Sequence, residues 1–314
     1  MNYMHHTPVM LDESLKALSI KKDGIYIDAT FGFGGHSQKI LESLNQKGAL
    51  YGIDKDLKTV NEAKKAIIND NRFTLKHGCF SLLSNYTKEW GIYGSVNGIL
   101  FDLGVSSEHL DNPERGFSFN KDGPIDMRFN QESGDSAREW MISASEETLH
   151  HVIRKYGEER YSRRIAKEIV SHRERADINT THDLVNIINK AIPKNEKNKH
   201  NATRTFQAIR IFINKELDVL KSVLDESFNI LAPKGRLALI TYHSLEDRVI
   251  KDFLTYTDKS LSAPRDLPLQ NEFLTKMFRI VSKSIKPTDE EIQLNSRSRS
   301  AKLNILEKYN EDNI

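Results

Sequence analysis

Ile27-Asp28-Ala29-Thr30-Phe31-Gly32-Phe33-Gly34-Gly35 is the stretch that decides the fold. It closes a short β-rich apolar run at 24–29 and precedes residues 37–44, whose apolar side chains recur at helical spacing. It therefore reads as the turn of a strand–turn–helix unit. Glycines in such a turn let the backbone approach a ligand closely. The first N–H groups of the following helix lack intrahelical partners and can bind polar groups. As a dinucleotide fingerprint the stretch is poor, because Ser37 stands where the third glycine belongs. About twenty residues on, Asp54 ends a second apolar run at a place where a carboxylate can accept both hydroxyls of a ribose. That acid suits nicotinamide dinucleotides and S-adenosylmethionine equally.

Working outward, apolar runs at 49–54, 98–103 and 236–242, with a weaker one at 73–77, repeat the strand pattern, and 57–68 repeats the helical one. Strands alternating with helices imply an α/β fold with a parallel sheet. The interval from Leu103 to Arg236 far exceeds the dozen or so residues of a simple crossover, so it holds an insertion. Its centre, about 137–192, is helical by period and stops at Pro193, and 194–200 is a lysine-rich linker. One long helix at 203–231 and a turn at Pro233-Lys234-Gly235 are expected to lead back into the sheet. The domain division read from this is 1–135, an inserted helical domain at 136–212, and 213–314. A loop holding Pro264 and Pro268 follows, then two β-like runs at 278–282 and 301–306, suited to an antiparallel pair at a sheet edge.

No run approaches the ~20 apolar residues that span a bilayer. The start, Met1 to Pro8, has neither a basic nor an apolar leader pattern, so the expected location is cytoplasmic, with no membrane partner. The single cysteine, Cys79, excludes an intramolecular disulfide and any cysteine-pair metal site. Neither the His5-His6 and His150-His151 pairs nor His182 has metal-helix spacing, so no metal is expected. Charge is unevenly spread: residues 150–210 carry 14 Lys+Arg against 7 Asp+Glu, in a chain whose net charge is only +2. Within that excess Arg160, Arg163, Arg164, Arg173 and Arg175 are expected to present a phosphate-binding face.

Further candidates lie at the carboxyl ends of the strands, where open α/β sheets bind ligands. Phe80 follows the weak third strand and could lie on an adenine ring. Asp102 ends the fourth strand in Phe101-Asp-Leu-Gly-Val-Ser-Ser107, without the D/N-P-P-aromatic motif common in amino-group methyltransferases. The fifth strand runs into Thr241-Tyr-His-Ser-Leu-Glu-Asp-Arg248, which puts His243 and Glu246 near Asp102 if the two strands are neighbours.

These blocks together resemble the MraW (RsmH) family of ribosomal RNA cytidine methyltransferases. The likeness spans nearly the whole chain. Its blocks are His6-Thr-Pro-Val, Asp28-Ala-Thr-Phe-Gly-Phe-Gly-Gly-His36, Asp102-Leu-Gly-Val-Ser-Ser107, Arg115-Gly-Phe-Ser-Phe119, Asp126-Met-Arg128, Gly157-Glu-Glu159, Ala202-Thr-Arg-Thr-Phe-Gln207, His243-Ser-Leu-Glu-Asp-Arg248 and Arg297-Ser-Arg-Ser-Ala301. Asp28 matches the acid of the first S-adenosylmethionine methyltransferase motif, with Thr30 in place of its usual first glycine. The resemblance implies a Rossmann-like methyltransferase sheet with an inserted helical substrate-recognition domain, S-adenosylmethionine as cofactor, and the 4-amino group of a cytidine in the decoding centre of 16S ribosomal RNA as acceptor. The implied partner is small-subunit ribosomal RNA in an assembled or nearly assembled subunit. The implied cofactor contacts are Gly34, Gly35, His36, Asp54, Phe80 and Asp102, with His109 where the family usually has glutamine; Asp102 and His243 are the catalytic candidates. The family's H-P-A-T reads His200-Asn-Ala-Thr here and its S-F-H-S reads Thr241-Tyr-His-Ser, changes expected to lie away from the cofactor. Two other readings use the same features: a nicotinamide-dependent oxidoreductase, against which the missing third glycine counts, and a non-catalytic ribosome-assembly factor, against which the glycine turn and Asp102 count.

Overall fold

The computed structural model describes residues 8–66, 70–193, 200–259 and 278–309. In chain order the elements are α1 (Leu11–Leu18), β1 (Ile25–Asp28), α2 (Gly35–Ser43), β2 (Ala49–Asp54), α3 (Leu57–Ala66), β3 (Phe73–His77), α4 (Leu83–Glu89) and β4 (Val96–Asp102). Next come α5 (Ser107–Asp111), α6 (Ala137–Ser143), α7 (Glu146–Gly157), α8 (Ser162–Arg173), α9 (Thr181–Ala191), α10 (Ala202–Asn214) and α11 (Glu216–Ile230). The chain continues through β5 (Leu231–Thr241), α12 (Ser244–Lys259), β6 (Phe278–Ile285), α13 (Asp289–Leu294) and β7 (Lys302–Lys308). The expectations for His5-His6, the rest of the start, the 194–199 linker and the Pro264/Pro268 loop lie outside the described residues.

The chain divides into two compact units, 1–104 with 217–314, and 105–216. In the first, a seven-stranded sheet has the order β3-β2-β1-β4-β5-β7-β6. The first five strands are parallel, and β7 runs antiparallel to β5 and β6, as the edge pair read from sequence requires. Alternate residues of β5 explain the two-sided burial. Leu237 and Leu239 pack with Ile27, Ile99, Phe101, Leu220, Leu224 and Ile250, whereas Ala238 and Ile240 pack with Tyr26, Leu50, Leu100, Leu18 and Ile40. Strand order reverses between β1 and β4, and the carboxyl ends of strands at such a switch point are where open α/β sheets bind ligands.

Two expectations change here. The Pro233-Lys234-Gly235 turn is absorbed into β5 as a bulge: Val96 faces Leu231 but Gly98 faces Arg236, and Lys234 takes φ 61°. A bulge tolerates proline because the ladder bond it would lack is already absent. The single long helix is two, α10 and α11, broken at Lys215 with φ 54°. Asn214 fixes the break: its Nδ2 donates to Met127 O and Arg210 O, its Oδ1 accepts from Phe129 N, and Arg210 forms a two-pronged pair with Glu216.

The second unit is helical. Its core joins Phe117, Ile125 and Met127 to Trp140, Met141, Leu149, Ile153, Ile165, Ile169, Ile187, Ile188, Phe206 and Ile209. Because Phe117, Ile125 and Met127 are buried there, residues 105–135 go with the helices, and the unit runs 105–216 where 136–212 was expected. Ser136 with Glu139 and Thr180 with Asp183 form capping boxes that start α6 and α9.

Candidate functional site

The turn after β1 is tied to its neighbours on both sides. Ala29 N donates to Leu100 O of β4 and Phe31 N to Ile53 O of β2. Gly32 (φ 55°) and Gly34 (φ 76°) take the left-handed conformation that glycine adopts without strain. A Cβ on Gly35 would stand 2.3 Å from Pro8 Cγ, so the backbone at the start of α2 stays close to the N-terminal segment. Asp28 is 1% exposed and accepts from Ser37 Oγ at 2.7 Å and Thr30 N at 3.3 Å. Burial, above all, pushes its pKa up to about 6, with the Asp54 charge adding to the rise and the two hydrogen bonds opposing it. Its observed work is to brace the turn.

Asp54 ends β2 and reaches back to that turn: Oδ2 accepts from Gly32 N at 2.7 Å and Oδ1 from Asp56 N at 2.8 Å. A carboxylate with about four acceptor sites can hold the turn and accept a ligand's hydroxyls at once. Phe80 is half-buried, its ring edge-on to Phe101 with centroids 5.5 Å apart. His36 is buried, and its Nε2 donates to Val9 O at 3.1 Å. Burial lowers its pKa to about 4, so the ring is neutral at physiological pH and anchors the N-terminal segment to α2.

At the end of β4, Asp102 N donates to Thr30 Oγ1 at 2.6 Å, and its Oδ1 accepts from the Tyr242 hydroxyl at 2.7 Å. The threonine that departs from the first-motif glycine therefore links the glycine turn to the strand carrying the acid. Burial raises the Asp102 pKa to about 7; the Tyr242 hydrogen bond works against the rise and the Asp28 charge with it. Strands β4 and β5 are indeed neighbours, with Asp102 opposite Ile240. The side chain that reaches Asp102 is Tyr242, so the tyrosine that departs from the family pattern touches one of the candidate residues. His243 instead pairs with the buried Glu246: Nε2 is 3.2 Å from Oε1, Glu246 N donates to His243 Nδ1, and Tyr242 N and His243 N donate to Glu246 Oε2. Its observed partners are those of a helix start.

His109 belongs to the helical unit. It is buried, closes the first turn of α5 through mutual bonds with Ser106, and stacks obliquely on Phe117 and Phe129 at 4.9 and 5.1 Å. In the same unit α7 and α8 expose Arg154, Lys155, Arg163, Arg164 and Lys167, with Arg160 and Arg175 exposed beside them. Arg173 leaves the expected basic face, because its guanidinium donates to Met141 O and Ala144 O at 2.6 and 2.7 Å and so caps the end of α6. Among the described residues, no helix is long and apolar enough to cross a membrane.

Against known proteins, the model of the MraW methylase family matches residues 3–309. Ribosomal RNA small subunit methyltransferase H of Legionella pneumophila (strain Corby) is 49% identical over 303 residues, covering 96% of this chain and 98% of that protein. The protein of the same name from Hydrogenovibrio crunogenus is 48% identical over 304 residues, covering 97% and 96%. Among solved structures, an rRNA methylase of Streptococcus thermophilus aligns with 97% of this chain and 99% of its own, at a TM-score of 0.40 and 13% identity, too distant to carry an argument.

Proposed function

This chain belongs to the MraW methylase family, whose cofactor is S-adenosylmethionine, and from that premise we propose that it methylates the exocyclic 4-amino group of a cytidine in the decoding centre of 16S ribosomal RNA. The name shared by the relatives, which specifies small-subunit ribosomal RNA, supports the substrate. The observation that carries the chemistry is Asp102: a half-buried carboxylate at the end of β4, bonded to the glycine turn through Thr30, with a pKa raised to about 7.

The cofactor fits the residues present. Gly32, Gly34 and Gly35 put no side chain over the start of α2, and Asp54 stands at the turn with acceptor oxygens. When bound, S-adenosylmethionine supplies a methyl group already activated on a sulfonium. Gly34, Gly35 and the backbone of His36 would hold its polar end, Asp54 its ribose and Phe80 its adenine. The chain's remaining task is alignment of the acceptor. The amino lone pair of cytosine is delocalised into the ring, and Asp102, by accepting one amino hydrogen, localises it and takes the proton as the new N–C bond forms. A base with a pKa near 7 is both partly ionised and basic enough at neutral pH. His243 and Glu246 hold the start of α12 and with it Tyr242. The contact read onto His109 remains part of this proposal as a residue that shapes α5 through Ser106.

The exposed cations of α7 and α8 serve to bind RNA phosphates, and the target base must be open or drawn from its stack to be reached. The substrate is the assembled or nearly assembled subunit. Mapping methylated nucleotides in ribosomal RNA from cells with and without this protein, alongside transfer to purified subunits and to naked RNA, tests the proposal. An unchanged methylation map overturns it.

A further inference from the structure

Tyr242 occupies the two-residue joint between β5 and α12 and is held at both ends. Its backbone N–H donates to Glu246 Oε2 at 2.7 Å, and its hydroxyl donates to Asp102 Oδ1 at 2.7 Å. Its ring packs where a Cβ on Gly104 would touch it at 3.4 Å, and Gly104 has φ +94°. Asp102 is thus fixed twice, by Thr30 at its backbone and by Tyr242 at one carboxylate oxygen. Among the described residues, the charged groups with the largest effect on this pair are acids: Asp28 from β1 on Asp102, and Glu246 from α12 and Glu291 from α13 on Tyr242. Amid acids, a neutral hydroxyl donor can stabilise the carboxylate without a cation that would repel a sulfonium.

We propose that Tyr242 is a positioning residue for methyl transfer: its hydroxyl binds Oδ1 of Asp102, turns Oδ2 to the acceptor amine and stabilises the carboxylate in its ionised form. This rests on the reading of Asp102 given above. The phenol stays protonated through the working pH range, because burial and the Asp102 charge push its pKa well above the usual tyrosine range. It therefore acts as a donor throughout. Losing it removes a bond that favours the ionised acid, so the Asp102 pKa rises and methyl transfer needs a higher pH.

The test is single-turnover methyl transfer to small subunits at saturating S-adenosylmethionine, followed from about pH 5.5 to about pH 9, for wild type, Tyr242→Phe and Asp102→Asn. Tyr242→Phe should move the acid limb up by about one to two pH units. The rate at pH 7 should fall about five- to fiftyfold and recover at the alkaline end, with the unfolding midpoint retained. A limb that stays in place, or a loss equal at every pH, while Asp102→Asn is strongly impaired overturns the role of Tyr242 and leaves Asp102 standing. Normal rates in Asp102→Asn overturn the reading of Asp102 itself. Should phenylalanine lower the unfolding midpoint, 3-fluorotyrosine at position 242, a stronger donor of nearly the same shape, should move the limb to lower pH; movement the other way or none overturns the proposal.

Discussion

The strand ends of the sheet unit and the outer faces of α7 and α8 in the helical unit use polar side chains in opposite ways. At or beside the strand ends of the first, Asp28 and His36 are withdrawn from water and Asp102 is half-buried, each is held by one or two bonds, and their pKa values leave the ordinary range in the direction burial dictates. In the second, Leu149, Val152, Ile153, Ile165 and Ile169 turn inward while Arg154, Lys155, Arg163, Arg164 and Lys167 of the same helices stay outside. Buried groups are little screened by salt and can be tuned for chemistry. Exposed cations are screened, and they act over a distance on a polyanion.

The comparison breaks most visibly if Asp102 is dispensable. Asp102→Ala should cut single-turnover transfer by about a hundred- to ten-thousandfold, the range for loss of a proton acceptor, with far less effect on RNA binding. A loss of only about ten- to a hundredfold, matched by Asp102→Asn, would reduce the acid to an orienting group. Near-normal rates would move the acceptor chemistry to His243.

His36 sharpens the same contrast through stability. Its folded pKa of about 4 lies below the unfolded value of 6.5, so as pH falls the unfolded chain takes up the proton first. The stability it contributes is fully present above pH 6.5 and is lost as pH falls toward about 4, on the order of 3 kcal/mol in all. Asp28 and Asp102, whose folded pKa values are raised, oppose that loss, because the folded state takes up their protons first. In urea unfolding across this window His36→Asn should show a gentler decline than wild type. An equal slope would mean that the ring is not buried in its neutral form.

Asp54→Ala should weaken S-adenosylmethionine binding about ten- to a hundredfold by calorimetry, the worth of about 1.5–3 kcal/mol of charged hydrogen bonds. Part of that loss reflects the release of Gly32 N, so Asp54→Asn, which keeps a carbonyl acceptor, should lose less. Unchanged affinity in a folded Asp54→Ala would exclude it from the cofactor. On the helical side, Arg163→Glu with Arg164→Glu should lower RNA affinity about tenfold and reduce the salt slope by about two, leaving cofactor affinity unmoved. A wild-type slope would place the phosphate contacts elsewhere, with Arg297, Arg299 and Lys302 the next set to change.

The strand ends were legible because apolar runs such as Ala49–Asp54 stop at a chemically distinct residue, and the glycine turn has a composition that few other structures need. The helix break was not, because Lys215 carries no glycine or proline mark and the bonds that fix it come from Met127 and Phe129, more than eighty positions away. The start of the inserted unit was misplaced for a related reason. Residues 105–135 hold little regular structure, and their allegiance shows only in where Phe117 and Met127 are buried. Tyr242 read as the end of a strand, since nothing local says that a hydroxyl will meet an acid 140 positions earlier. Arg173 has the sequence context of one more surface cation, because the carbonyls it caps, Met141 O and Ala144 O, lie 32 and 29 positions away.

The placement of the inserted unit also orders the birth of the molecule. β4 is complete at Asp102, whereas its partner β5 begins at Leu231, and everything between 105 and 216 leaves the ribosome first. Domains fold as units during synthesis, so the helical unit holds all of its own core while the sheet is still missing β5, β6 and β7, three of its seven strands. Until Leu237 and Leu239 arrive, β4 presents an open edge beside Ile99 and Phe101, the kind of edge that pairs with the wrong chain. A message truncated after Glu216 would therefore yield a finished helical unit tethered to an unfinished, aggregation-prone sheet.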